Sequence, residues 1–262
     1  MQLKDKKVLI TGGSRGIGKC MIDELVKQGV QDIAVIGRDK ENLKALRTTF
    51  ESVNFILVRG DVGDLNVLRD VTSKIEDEWG SLDILINNAG IVSAGPLEDL
   101  SDEDIYDQVS VNLTAVMVLT KYCIPLLRHS QEGAILNVSS GLGLIGMPFY
   151  SVYASTKAAI RQFSDAIRRE LEPDSISVTC VYPTATDTDM MTTSKATDMD
   201  SPEFVAERSI QAMVQKKLHV IFGGEERLND SKLNFESPEK FDAKIAKSYE
   251  ERKEASLYHK AM

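Results

Sequence analysis

The chain has 262 residues, with 31 basic and 40 acidic side chains and a formal charge of −9. With 42% apolar and 27% charged residues, it is excluded from the disordered and collagen-like classes. The acidic balance argues against a nucleic-acid partner, no run approaches the ~18 consecutive apolar residues of a bilayer span, and the start lacks the apolar core of a secretory signal.

The first apolar run, 7–11, predicts a buried strand. It ends in Thr11-Gly12-Gly13-Ser14-Arg15-Gly16-Ile17-Gly18 and passes into a helical pattern over 16–29. Glycines between a strand and a helix let the backbone turn tightly and approach a pyrophosphate, which the free N–H groups of the helix start would hold. A second strand is predicted at 32–37, followed by Arg38 and a helix over 40–50. A third strand at 54–59 leads to Asp61-Val62 and a helix over 64–79. A fourth, at 82–87, runs into Asn87-Asn88-Ala89-Gly90.

A long helix is expected over 102–129, carrying Asn112, and then a strand at 133–139 closing on Ser139-Ser140. The helix over 150–172 carries Tyr153 and Lys157 and stops at Pro173. A strand at 175–182 leads to Pro183 and Thr188. Ser201-Pro202-Glu203 starts a helix over 202–216, since it supplies an N-cap, an N1 proline and an acidic first turn. The last strand is expected at 218–222. In the mixed-charge tail, Ser237-Pro238-Glu239 repeats the helix-start signal, and Phe241, Ile245 and Tyr249 make one apolar stripe at i+4 spacing. That stripe fits a helix docked on its own domain, a dimer contact or a lid.

Strands that read as continuous apolar runs and alternate with helices predict an α/β fold: a doubly wound, Rossmann-like parallel sheet of about seven strands flanked by helices. No linker interrupts it. The expected division is a catalytic domain over 1–224 and a charged, helical C-terminal extension over 225–262, docked on the same domain. Cys20, Cys123 and Cys180 are scattered and odd in number, which fits a reducing compartment and a cytoplasmic location. His129, His219 and His259 have no ligand spacing, so no metal site is expected and each reads as a packing or surface residue.

Thr-Gly-x-x-x-Gly-x-Gly, Asp61-Val62, Asn-Asn-Ala-Gly, Asn112, Ser140 and Tyr153-x-x-x-Lys157 follow one another in a fixed order. Together they resemble the short-chain dehydrogenase/reductase superfamily over roughly residues 5–224. The resemblance implies an oxidoreductase that transfers a hydride between a nicotinamide cofactor and a carbonyl or secondary alcohol. It implies that Gly12, Ser14, Arg15, Gly16, Ile17 and Gly18 cradle the cofactor phosphates, that Asp61 meets the adenine amine with Val62 on the ring, and that Asn88 and Gly90 border the ribose. Pro183 and Thr188 match the family's Pro-Gly-x-x-x-Thr segment, with Thr188 toward the nicotinamide amide. Thr184 stands where the family has glycine, which changes how closely the backbone can approach there.

The second strand ends in Gly37-Arg38 with no carboxylate for a ribose 2′-OH. Arg38 can fork onto a 2′-phosphate, and Arg15 offers a second cation. This is similar to the NADP-preferring pattern, so NADP is expected over NAD. Asp39 is the counter-argument, if a shifted loop took it to the ribose.

Tyr153 and Lys157 are at i,i+4 and share a helix face, so the ammonium is placed to lower the phenol's pKa. The resemblance implies that Tyr153 is the general acid/base and that Lys157 also holds the nicotinamide ribose. It further implies that Ser140 orients the substrate oxygen and that Asn112 holds a relay water. The loop 141–149 and a lid over 189–200 with Met190, Met191 and Met199 offer soft apolar surface and few cations, which favours a lipophilic ketone. The segments 183–188, 205–207 and 220–224 also resemble members acting on lipid ketones, so lipid metabolism is the expected setting. A homodimer or homotetramer through the helices at 102–129 and 150–172 is expected, with the tail blocking the usual tetramer contact. The alternative is an NADP-binding sensor or scaffold of the same fold without turnover.

Overall fold

The computed structural model describes residues 1–194 and 198–261. Its strands in chain order are β1 (Lys7–Thr11), β2 (Asp32–Gly37), β3 (Asn54–Arg59), β4 (Ile84–Asn87), β5 (Val92–Ser93), β6 (Ala134–Val138), β7 (Ser177–Tyr182), β8 (His219–Ile221) and β9 (Lys260–Ala261). All but β5 and β9 form one sheet in the order β3-β2-β1-β4-β6-β7-β8, and every pairing in it is parallel. The seven predicted runs are these seven strands, with two residues trimmed from each of the last four.

The helices are α1 (Gly16–Lys27), α2 (Lys40–Thr49), α3 (Leu65–Trp79), α4 (Asp102–Val109), α5 (Ala115–Leu127), α6 (Ser151–Glu170), α7 (Pro202–Val214), α8 (Gly224–Glu236), α9 (Pro238–Ala246) and α10 (Tyr249–Ser256). Helices cover both faces, as a parallel sheet with two apolar faces requires. Met21, Ile22 and Leu25 of α1 pack with Val205, Ile210 and Met213 of α7 on one face. Leu68, Val71 and Ile75 of α3 pack with Leu119 and Cys123 of α5 on the other. The strand order reverses at β1, which has β2 on one side and β4 on the other. The loops after β1 and β4 therefore part at the C-terminal sheet edge and open a crevice there.

The long helix expected over 102–129 runs without a break from Asp102 to Leu127, but it carries an irregularity the sequence did not show: a π-helical turn, Ser110–Thr114, between α4 and α5. Asn112 causes the offset. Its Oδ1 accepts from the Ile91 amide at 2.8 Å and its Nδ2 donates to the Ile91 carbonyl at 2.9 Å, pinning the turn to the chain after β4. Among the described residues, Asp102–Leu127 has the length and mean hydropathy (1.5) of a membrane-spanning helix. Its apolar side here packs on α3 and the sheet.

The tail is not one striped helix. It forms α8, α9, α10 and β9, and the stripe divides: Phe241 is buried on α9, whereas Tyr249 opens α10 and meets the ring of Phe149 at 5.2 Å. β9 pairs antiparallel with β5, Val92 opposite Ala261 and Ser93 opposite Lys260.

Candidate active site

The crevice is a cleft of about 630 Å³, within the size range of small-molecule sites. One end is the loop after β1. Arg15 caps α1 without a side-chain hydrogen bond, so the first amides of the helix are unspent. Gly16 takes a left-handed φ of 51°, and a Cβ on Gly18 would lie 2.3 Å from the Gly12 carbonyl oxygen. The loop is thus folded on itself more tightly than any side chain permits. Asn88 holds it there: its Nδ2 donates to the Thr11 and Gly12 carbonyls at 3.0 and 3.2 Å, while Thr11 Oγ1 accepts from the Asn88 and Ala89 amides.

Beyond the loop, Arg38 and Asp61 flank the cleft with 3.7 Å between their charged groups. Asp39 lines the same end. Its carboxylate accepts from the Asn42 amide at 2.7 Å as the N-cap of α2, so this side chain is committed to the helix. Val62 is buried beside Asp61. Across the cleft, Thr188 packs over Gly16, and Arg15 pairs with Asp189 at 3.3 Å.

At the other end, Ser140, Tyr153 and Lys157 line one wall. The two serines that follow β6 point apart, as successive residues of an extended chain do. Ser139 is buried and donates to the Lys157 carbonyl at 2.7 Å, while Ser140 faces the cleft and hydrogen-bonds Tyr153. Lys157 is buried, with Nζ 3.1 Å from the Val138 carbonyl and 5.7 Å from the Tyr153 ring centre. A Cβ on Gly90 would lie 3.3 Å from both Lys157 Nζ and Asn112 Oδ1, so those three residues meet at one point. Burial pushes the Tyr153 hydroxyl up to about 12, and the Ser140 hydrogen bond opposes this only in part. Burial likewise pulls Lys157 down to about 8. The phenol-lowering pull of Lys157 expected from the i,i+4 spacing does not set the direction here; burial does.

The residues present fit a dinucleotide. The loop approaches as only glycine allows, anion-ready amides lie at the α1 start, and the cleft runs from Arg38 to Tyr153. Pro183 accepts from the Gly141 amide at 2.8 Å and fixes the floor near the reacting end. Thr184 turns its hydroxyl away to Asp200.

Residues 6–199 match the family model described as short chain dehydrogenase. A relative from Arabidopsis thaliana, 11-beta-hydroxysteroid dehydrogenase-like 3, is 33% identical over 84% of this chain and 71% of its own length. The chain belongs to the short-chain dehydrogenase family. Its oxidoreductase relatives include the 3-ketodihydrosphingosine reductase of Bos taurus, 28% identical over 86% of this chain and 73% of that protein. A solved short-chain dehydrogenase from Burkholderia cenocepacia J2315, in complex with NADP, superposes with a TM-score of 0.76 at 28% identity, covering 86% of this chain and 98% of that one.

Among the cleft-lining residues that sequence reasoning missed, Tyr150, Arg227 and His259 bring polar side chains. Arg227 comes from α8 and lays its guanidinium over Gly141, so the substrate end is less free of cations than the loops alone suggested. His259 had read as a packing or surface residue. No local pattern could have brought it to Tyr150, 109 residues away, because the β5–β9 pairing that does so involves two residues per strand. The lid over 189–200 lines the cleft through Asp189, Met190, Met191 and Ser194, while residues 195–197 lie outside the described residues, as does residue 262 of the predicted extension.

Proposed function

We propose that this protein is an NADP-dependent oxidoreductase that interconverts a lipophilic ketone and its secondary alcohol, with Tyr153 as general acid/base. The observation that carries this reading is the convergence of Ser140, Tyr153 and Lys157 on one wall of the cleft whose far end is the glycine loop. When bound, the nicotinamide supplies or accepts the hydride. Tyr153, protonated at neutral pH with its hydroxyl pushed up to about 12, gives its proton to the oxygen that becomes the alcohol. Ser140 orients that oxygen. Lys157, joined by Asn112 beside Gly90, holds the ribose and restores the proton. The apolar lining by Leu142, Met190 and Met191 supports a lipophilic substrate, and two relatives are named for 11-beta-hydroxysteroid and 3-ketodihydrosphingosine. Initial-rate NADPH consumption against sterols, keto sphingoid bases, acyl β-ketones, small diketones and polar sugars tests it. Turnover confined to sugars rejects the lipophilic part, and no turnover on any carbonyl favours a sensor or scaffold.

Arg15 and Arg38 support NADP over NAD, as does the commitment of Asp39 to the α2 cap. Arg38→Asp is expected to narrow or reverse a large preference for NADPH, read as the ratio of the two cofactor dissociation constants. Equal affinities in the unsubstituted protein would contradict the assignment.

A pH dependence follows from burial. Lys157 loses its charge as pH rises through about 8, whereas Tyr153 keeps its proton to about 12. The kcat/KM for NADPH, which reports groups of the free enzyme, should fall across pH 8. Lys157→Arg, charged throughout, should carry that limb upward by more than one pH unit. A flat profile to pH 9.5 would dissociate the Lys157 charge from the rate.

The same reading places the protein in the cytoplasm and in a homodimer or homotetramer. The exposed Tyr106, Val109 and Met117 of α4 and α5 support a pairing face there. Light scattering gives the mass, and a tetramer would refute the proposal that the tail blocks that contact.

A further inference from the structure

The last residues of the chain return to the substrate end of the cleft. β9 is zipped onto β5, and the Ala94 amide donates to the His259 carbonyl at 3.0 Å. Lys260 pairs with Asp104 of α4 at 2.7 Å, and its amide donates to Thr193 at 3.3 Å. Between these ties the His259 imidazole is driven inward. It is 5% exposed and lines the cleft with Tyr150 and Met190.

Both ring nitrogens are engaged. The Met190 carbonyl lies 3.0 Å from Nε2. A carbonyl only accepts, so Nε2 carries a hydrogen. Burial lowers the ring's pKa and keeps it neutral. Nδ1 therefore offers a lone pair, and the Tyr150 hydroxyl, 2.8 Å away, donates to it. That uses the only hydrogen Tyr150 has, and its oxygen is left as an acceptor. Arg252 of α10 is a charged group that acts on Tyr150, and its Nε–H donates to Ser248 Oγ at 2.8 Å. Tyr150 caps α6 three residues before Tyr153, close enough that its charge would raise the Tyr153 pKa.

We propose that this C-terminal strap completes the substrate pocket, and that His259 fixes the Tyr150 hydroxyl as an acceptor that selects carbonyl substrates bearing a second group with a hydrogen to donate, above all a hydroxyl. The inference rests on the oxidoreductase reading of the same cleft and adds a substrate class to it: lipophilic hydroxyketones. Tyr150 makes the contact. His259 is a positioning residue, because it acts through Tyr150. A substrate that offers only an acceptor at that point leaves two oxygens facing each other with no hydrogen between them, which is costly once the bound substrate displaces water there.

The test uses the full chain with NADPH and matched pairs, each a hydroxyketone and its O-methyl ether. For the best pair, KM is expected to be ~10-fold lower for the hydroxyketone, the scale of one hydrogen bond, with kcat nearly equal. Tyr150→Phe should bring that ratio to near one. His259→Phe should cut it several-fold, and His259→Asn, whose amide supplies both an acceptor and a donor, should restore part of it. NADPH affinity should stay within about twofold in all three variants, since the strap lies at the other end of the cleft. The ratio is also read as dissociation constants, from quenching of NADPH fluorescence in the ternary complex, which needs no turnover. A binding preference without turnover supports this inference and overturns the reductase reading. Equal binding of hydroxyketone and ether, or a preference that Tyr150→Phe leaves intact, overturns the inference while leaving turnover of simple ketones unaffected.

Discussion

Tyr153→Phe is expected to lower turnover by at least ~10²-fold, the usual scale of lost acid catalysis, with NADPH affinity nearly unchanged. The substitution removes one oxygen and keeps the ring, so packing at this buried position survives. The loss falls on the proton alone. With its hydroxyl held near 12 by burial, Tyr153 is fully protonated in any neutral assay, the state a donor needs. Ser140 cannot replace it, because an aliphatic hydroxyl is a far weaker acid than a phenol; with its oxygen accepting from the Leu142 amide at 3.1 Å, its hydrogen can orient the substrate oxygen but not protonate it. Lys157 is directed at the Val138 carbonyl. The measurement is NADPH consumption on the best carbonyl of the panel, paired with a fluorescence titration of NADPH. Activity within about threefold of the unsubstituted chain would remove Tyr153 as the acid. Equal inactivity of both proteins, with cofactor bound, would favour the non-catalytic alternative.

What could be read from the sequence followed the range of the interactions. The seven strands were legible because a parallel sheet buried on both faces demands uninterrupted apolar runs, and Ile33 to Ile36 or Ile84 to Ile86 are such runs. The glycine loop was legible because its constraint is local: glycines at 12, 16 and 18 where a strand passes into a helix. Strand alternation parts Ser139 from Ser140, and the thirteen-residue interval to Tyr153 in the family pattern selects Ser140; the two hydroxyls do part, one to the cleft and one to the Lys157 carbonyl. Spacing failed where depth decided. The i,i+4 interval of Tyr153 and Lys157 is a distance along a helix and carries no information on desolvation. Burial then moved the two pKa values in directions that the charge pairing alone would not predict. The π turn at Asn112 depends on a bond to Ile91 across the fold, and the strap depends on Ser93 meeting Lys260. Neither leaves a periodic trace.

Gly18→Ala is expected to weaken NADPH binding by ~10²-fold and to lower the melting temperature. The added methyl carbon would stand 2.3 Å from the Gly12 carbonyl oxygen, 3.0 Å from its carbon and 2.6 Å from the Asn88 amide nitrogen. Two of these atoms are backbone, so no rotamer change relieves the contact. The third is the group that ties β4 to the loop through Thr11 and Gly12. Overpacking of this kind costs about 3 kcal/mol at its upper end, and ~10²-fold in affinity corresponds to that figure if the strain falls on the binding conformation of the loop. Gly146→Ala is the control, because nothing lies within 4 Å of a Cβ there. A titration of NADPH fluorescence and a thermal melt on both variants separate the effects. Unchanged NADPH affinity in Gly18→Ala would mean that the dinucleotide does not rest on this loop, and the assignment of the α1 start as its phosphate site would have to be withdrawn.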